Sequence, residues 1–326
     1  MRNSSKRKTV LPGWIIAVLD VLALGAALCV FALFHHVLPR DGGGPKLNIV
    51  NVQLSGNDAA AQNAVPQAPV TQVESAVNVG DFSAAFPTED TGAGADYSHQ
   101  SNSVRVAVKG YSVDGVAYFV SDVWIKDISS FRTAFAKKQY GQGIHQEFLN
   151  MAQDNKAIVA ISGDYYGARA KGVVVRNGQL YRDILFEDVC VLYQNGVMET
   201  YTKDTFNIDD AIARKAYQIW SFGPQLLDNG QPMQEFNSSV KNANPRCAIG
   251  YYEPGHYCFV TVDGRQPGYS EGMTIHALSQ LFYDLGCKVA YNLDGGQTAM
   301  MAYGNQLVNR PINGGRESSD IVFISE

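Results

Sequence analysis

The chain has 326 residues, 46% of them hydrophobic and 17% charged, so it can bury a substantial core and is not a disordered polymer throughout. Its 26 basic and 31 acidic side chains give a formal charge of -5, which excludes the broad cationic footprint of non-specific nucleic-acid binding. Five cysteines, with no closely spaced cysteine pair and no Cys/His cluster at zinc spacing, exclude a disulfide-built scaffold and a structural zinc site.

The opening MRNSSKRK carries Arg2, Lys6, Arg7 and Lys8 without an acid, and from Trp14 to Phe34 the only charged side chain is Asp20. Crossing the hydrocarbon core takes about 20 apolar residues, whereas the apolar stretch of a cleaved signal is roughly 7 to 15. The run at 14–34 therefore predicts one transmembrane helix kept as an anchor. The basic cluster before it predicts a cytoplasmic N-terminus, with everything after Arg40 outside. Cys29 follows Ala26, Ala27 and Leu28, and bulky Leu28 stands where lipidation needs a small residue. DGGGPK then opens a stretch of Ala, Gln, Asn, Val and Pro with no aromatic residue between Phe34 and Phe82, which reads as a spacer. The expected division is 1–40 stub and anchor, 41–100 extracytoplasmic linker and 101–326 folded domain. The end of the linker, DFSAAFPTEDTGAGADYSHQ, is the part able to lie along that domain.

From Ser103 the composition turns aromatic and β-branched, and Val104–Val108 and Val116–Ile125 alternate as strands do. Asn177-Gly178 and Asn195-Gly196, each between apolar runs, predict two hairpins. Helical spacing appears over Ile144–Met151 and again at Ile275, Leu278, Leu281, Phe282 and Leu285, with Thr274 as N-cap and Gly286 as terminator. The later helix feeds the apolar strand KVAYNL. Strands outnumber helices without alternating with them, so the expected fold class is α+β, a mixed β-sheet with packed helices, preceded by the transmembrane helix.

Three strand ends carry polar, glycine-rich loops. NLDGGQTAMM places Asn292, Asp294, Gly295, Gly296, Gln297 and Thr298 after a buried-looking strand, where the glycines let backbone approach a ligand. VDGRQPGYSEGMT sets Asp263 and Arg265 after another strand, then Ser270, Met273 and Thr274 at a helix start. AISGDYYG sets Ser162 and Asp164 after a third. Each loop alone reads equally well as a turn or a cap; three together suggest a cleft.

The ordered set AISGDYY, SFGPQLLDNG, RCAIGYYEPGHYCFVTVDGRQPGYSEGMT, LGCKVAYNLDGGQTAMM and GGRESSDIVFI resembles the phosphodiester glycosidase domain family, from about Val104 to the end of the chain. The resemblance implies hydrolysis of a sugar 1-phosphodiester, with a phosphorylated glycan of the cell envelope or an exopolysaccharide as substrate. Asp294, Asp263, Arg265, Arg246 and Arg316 stand at positions that match the family pattern. Two departures are Ser162, at the start of a stretch that in the family reads asparagine-glycine-glycine-aromatic, and Gln297, where the family commonly has glycine.

A departing phosphate needs less protonation than a sugar hydroxyl, so positive charge should matter more than a strong acid. The expected roles follow. Arg246, Arg265 and Arg316 hold the phosphate, and Asp294 stabilises the anomeric carbon or activates water. Asp263 orients Arg265 or shares acid–base work, and Asn292 holds a sugar hydroxyl or the carboxylate. Ser162, Asp164, Ser270, Met273, Thr274, Gly295, Gly296, Gln297 and Thr298 complete the expected substrate contacts. His256 and His276 read as surface or packing residues. Cys190, Cys247, Cys258 and Cys287 allow three pairings, Cys247–Cys258 being the one to test first. No cofactor is demanded, although clustered carboxylates would suit calcium. A non-catalytic binding or assembly protein for phosphorylated envelope polysaccharide is the competing reading, and a metal-dependent phosphodiesterase is a third.

Overall fold

The computed structural model describes residues 80–326. The run at 14–34, the basic stub and most of the spacer lie outside the described residues. Among those described, no helix is long and apolar enough to cross a membrane.

Three large antiparallel sheets build the body, beside a small two-stranded ribbon, Leu227–Asp228 with Gln231–Pro232. The first runs, edge to edge, Tyr97–Gln100, Val104–Val113, Val116–Ile125, His256–Val262, Arg246–Glu253 and Val289–Leu293. The second runs Gln179–Ile184, Gly172–Arg176, Ala216–Trp220, Val189–Tyr193 and Met198–Tyr201, and the third Gln306–Leu307, Met301–Tyr303, Val159–Ser162, Asp320–Ile324 and Phe131–Phe135. The expectation of a sheet-rich α+β body stands. A single sheet of mixed strand direction does not, because every ladder among the described residues is antiparallel.

The inner faces of all three sheets share one core, in which Ile249 and Phe259 of the first meet Leu192 and Trp220 of the second and Ile161 and Val322 of the third. Each outer face is covered by one helix. Helix α1 (Phe148–Asp154) packs Phe148, Met151 and Ala152 against the third sheet, and α2 (Ile208–Ala213) lays Ala211 on the second. Helix α3 (Ile275–Asp284) packs Ile275, Leu278 and Phe282 on the first. Burial on both faces explains why Gly172–Arg176, Val189–Tyr193 and Asp320–Ile324 are wholly buried and lack the polar–apolar alternation of half-exposed strands.

The local signals act as expected at several points. Thr274 caps α3 by accepting a bond from the Ala277 amide, and Gly286 ends it at φ +82°. Asn177 and Gly178 both take positive φ, at 51° and 82°, in the first hairpin turn. The first helix is displaced: the periodicity suggested Ile144–Met151, but α1 begins at Phe148, because Gln146 bridges to Ser318 and holds the preceding backbone extended. Residues 80–100 lie along the body, with Phe82 buried in the shared core and Tyr97–Gln100 forming an edge strand. The cysteine pairing expected first is absent. Cys247 and Cys258 sit in different cores on opposite faces of the first sheet, and all four described cysteines are free thiols. Cys258 instead lies 3.6 Å from Cys287, sulfur to sulfur.

Candidate active site

One end of each sheet contributes to the same place. The strand Val289–Leu293 delivers Asn292 and then Asp294, Val159–Ser162 delivers Gly163 to Tyr165, and Ala216–Trp220 delivers Ser221 to Gly223. Main-chain groups join these loops. The Asp294 amide donates to Gly163 O at 3.0 Å, and the Asn292 amide to Pro224 O at 3.1 Å. The Ser221 amide donates to Asp164 Oδ2 at 3.0 Å. Between them opens a cavity of about 630 Å³, lined among others by Tyr165, Arg169, Phe222, Arg246, Arg265, Asp294 and Arg316. Residues 265 and 294, which the sequence could only suppose to be neighbours, therefore share one cavity.

Asp294 is 9% exposed. Burial raises its pKa to about 6, opposed by the bond from Thr298 Oγ1 and by the charges of Arg316 and Arg169. The Thr298 hydroxyl donates to Asp294 Oδ2 at 2.6 Å, and an Arg316 nitrogen stands 3.6 Å from the same oxygen. The carboxyl thus titrates close to neutrality, where either protonation state is accessible. Asn292 also lines the cavity; its Nδ2 donates to Gly223 O at 2.9 Å while its buried Oδ1 accepts no bond.

The cationic wall has a different origin. Arg246 is buried, and its guanidinium donates to three main-chain carbonyls, Met273 O at 3.0 Å, Val240 O at 3.0 Å and Asn242 O at 2.7 Å. It meets no carboxylate among the described residues. Burial, and then the charge of neighbouring Arg265, push its pKa down to about 10, still fully charged at neutral pH. Arg265, at φ +58°, is held by Nε and Nη2 donating to Asn244 Oδ1 at 3.1 and 2.8 Å. Two guanidiniums near enough to repel, anchored by neutral acceptors, form a preorganised seat for an anion. The glycines supply the space beside it. A β-carbon on Gly295 would fall 2.5 Å from Pro245 O, and one on Gly296 would sit 3.5 Å from Arg265 Nη1.

An aromatic wall faces the cavity from the other loops. The Arg169 guanidinium lies over the rings of Phe222 at 4.6 Å and Tyr165 at 5.6 Å, and Arg316 lies over Tyr165 at 5.4 Å. Arg169, Tyr165, Phe222 and Asn244 were not singled out from the sequence. Tyr165 and Phe222 do fall inside the motifs AISGDYY and SFGPQLLDNG, so a count of aromatic residues at the strand ends would have found them. Arg169 carries no comparable signal.

Several expected contacts lie outside the cavity. Both Asp263 carboxylate oxygens are occupied, Oδ1 by Asn309 Nδ2 at 2.7 Å and Oδ2 by Tyr269 Oη at 2.8 Å and the Arg310 amide at 2.9 Å. Asp263 is therefore a clamp on the turn that presents Arg265, and the catalytic role expected of it is corrected. Ser270 accepts from the Ala117 amide and donates to Asp263 O, Met273 belongs to the core under α3, and Thr274 is spent as a cap. Ser162 is fully buried and donates to Thr298 O. Asp164 lies beneath the site, paired with Arg176 at 2.7 Å, and Arg176 reaches Asp320 at 3.1 Å. Burial and the charge of Asp164 hold the Asp320 carboxyl well above its ordinary range. Gly163 makes this packing possible, since a β-carbon there would fall 2.2 Å from Asp320 Oδ1. Gln297 lines the cavity and donates to Gly315 O at 3.1 Å, whereas Thr298 lies behind the lining with its hydroxyl between Asp294 Oδ2 at 2.6 Å and Gly295 O at 2.7 Å. Among the described residues, no three His, Cys, Asp or Glu side chains are grouped to hold a metal ion.

The chain is 26% identical over 224 residues to the SPbeta prophage-derived uncharacterized protein YomE of Bacillus subtilis (strain 168), a match covering 61% of this chain and 35% of that protein. The chain thus spans about a third of the length of that curated relative. Its fold is similar to the catalytic domain of zebrafish N-acetylglucosamine-1-phosphodiester alpha-N-acetylglucosaminidase, auto-inhibited by pro-peptide. That likeness has a TM-score of 0.54 and 20% identity, over 70% of this chain and 85% of that one. A hypothetical protein from Synechocystis matches with a TM-score of 0.55 and 16% identity, over 71% of this chain and 64% of that one. The family model for phosphodiester glycosidase matches residues 155–325, which contain every loop of the cavity, and the chain belongs to that family.

Proposed function

We propose that the protein hydrolyses a sugar 1-phosphodiester of a cell-envelope or exopolysaccharide glycan. The observation that carries this reading is the pair Arg246 and Arg265, without a carboxylate partner among the described residues, beside the single buried carboxylate of the cavity, Asp294. The two guanidiniums hold the phosphate, and Arg316 lines the same cavity. Tyr165 and Phe222 offer flat apolar faces to the sugar ring.

In the reaction the bond between the anomeric carbon and the phosphate oxygen breaks, and its electron pair stays with the phosphate. Water supplies the new hydroxyl on the anomeric carbon, and the ionised Asp294 takes the proton that water gives up. The phosphate stays on the aglycone as a monoester whose second pKa is about 6, so it departs as an anion neutralised by the arginines and needs no strong acid. No resident metal enters the reading, so EDTA should leave turnover unchanged.

The membrane anchor at 14–34, the linker at 41–100, whose last part lies along the body, and an extracellular placement of the domain belong to the same proposal and rest on the hydropathy, charge and composition of the N-terminal sequence. The departure at Ser162 is the feature that would favour the competing binding-module reading, and that side chain is buried away from the cavity. A panel of sugar 1-phosphodiesters, with fragments identified by mass, tests the proposal. Free sugar plus an aglycone phosphomonoester is expected; binding without release for every diester would overturn it.

A further inference from the structure

A second, more open depression of about 680 Å³ adjoins the first, and Arg265 lines both. Its other walls come from Gln266 and from the segment Leu307–Gly314, and neither contributes an acidic side chain to it. In a chain of net charge -5 this is a local excess of positive charge, supplied by Arg265 and Arg310. Arg310 is exposed, lies over the Tyr269 ring at 5.0 Å, and enters no ion pair among the described residues.

The two arginines are fixed relative to each other through the backbone. Asp263 starts the turn that carries Arg265 and accepts the Arg310 amide at 2.9 Å, while Gln266 Nε2 donates to Arg310 O at 2.8 Å. The same segment continues to Arg316 in the first cavity, and Gln297 ties it there at Gly315. One loop therefore walls both depressions, with Arg265 at their junction.

Resting on the hydrolase reading, the geometry points to the second depression as the aglycone subsite, built for an aglycone that carries a second phosphate. A diester seated on Arg265 has two arms. The sugar arm lies in the cavity with Asp294, and the other arm has the adjoining depression before it. There Arg310 meets an anion, and the exposed amide of Asn313 meets hydroxyl groups. The substrate class this selects is a polymer whose units are joined by phosphodiesters, in which the next linkage along the chain presents that second phosphate.

The test uses aglycone products, so that it does not depend on the identity of the sugar. Binding of glycerol 1-phosphate and glycerol 1,3-bisphosphate to the full-length, detergent-solubilised protein is measured by calorimetry. The bisphosphate should bind about tenfold more tightly than the monophosphate. That ratio should fall to about one in Arg310→Ala, recover partly in Arg310→Lys and fall below one in Asn313→Asp. Equal binding of the two ligands by the wild type, failure to bind either, or a preference that survives Arg310→Ala would overturn the inference. Hydrolysis of the diester panel, run in parallel, separates the two claims. Sugar release with no bisphosphate preference sinks the subsite alone, whereas a preference that depends on Arg310 with no sugar release supports the subsite and sinks the hydrolase.

Discussion

The guanidinium of Arg316 stops 3.6 Å from Asp294 Oδ2, too far for a full hydrogen bond, while Thr298 Oγ1 holds that oxygen at 2.6 Å. Burial outweighs both neighbours, and the carboxyl stays near pH 6. Catalysis through ionised Asp294 gives kcat/KM an acidic limb near that pH, with activity falling below it. Removing either opposing influence, in Arg316→Ala or Thr298→Val, should move the limb upward from about 6 toward 7. A pH profile of kcat/KM for the three proteins checks this; a limb that stays put in both variants would detach Asp294 from the titration.

The raised pKa of Asp294 also affects folding. In the window between the ordinary aspartate value of 3.8 and about 6, the folded protein binds the Asp294 proton and the unfolded chain does not. Stability attributable to this residue therefore falls as pH rises through that window. Asp294→Asn should cost at least about a thousandfold in turnover, while the melting temperature at pH 7 stays level or rises, by up to the equivalent of about 2–3 kcal/mol. Calorimetry beside the activity assay decides. A strongly destabilised Asp294→Asn protein would show the carboxylate to be structural.

The two phosphate arginines should respond differently to replacement. Arg265 is exposed and, among the described residues, its guanidinium bonds only Asn244, so Arg265→Ala should weaken inorganic phosphate inhibition by about 10- to 100-fold and leave the melting temperature nearly unchanged. Arg246 is buried and ties three carbonyls together, so Arg246→Ala should lose phosphate binding and stability at once. Inhibition constants and thermal melts on both variants separate an exposed anion contact from one that also supports the loop.

Beneath the site, Arg176 serves two buried carboxylates, Asp164 and Asp320. Arg176→Met removes their shared cation and should destabilise the fold by about 3–5 kcal/mol at neutral pH. The raised Asp320 carboxyl takes up a proton as pH falls, so the deficit should shrink at about pH 5. Denaturant titrations at the two pH values measure it, and equal losses at both would contradict the charge-based explanation.

What was legible in the sequence was mainly local. The cap at Thr274, the left-handed turn at Asn177-Gly178 and the glycine-rich run after Leu293 each state their geometry in two or three residues. The site was legible as a set of strand ends but not side chain by side chain. Asp263, Asp164 and Asp294 all follow an apolar strand, yet only Asp294 faces the cavity. Asp263 and Asp164 turn beneath it, toward Asn309 and Arg176, partners distant in sequence. The Arg169 stack and the Arg310 depression were invisible for the same reason, since each depends on rings or loops that tertiary packing brings together. The division into three antiparallel sheets was hidden too, because strands buried on both faces do not show which sheet they join.

The most direct test of the central claim is to run the hydrolysis in water enriched in heavy oxygen and locate the label by mass spectrometry. Cleavage at the anomeric carbon, with the arginines holding a departing phosphate, predicts the label in the released sugar and none in the phosphomonoester. Label in the phosphate would mean attack at phosphorus and would contradict the roles of Asp294 as base at the anomeric carbon and of Arg246 and Arg265 as the seat of the leaving group.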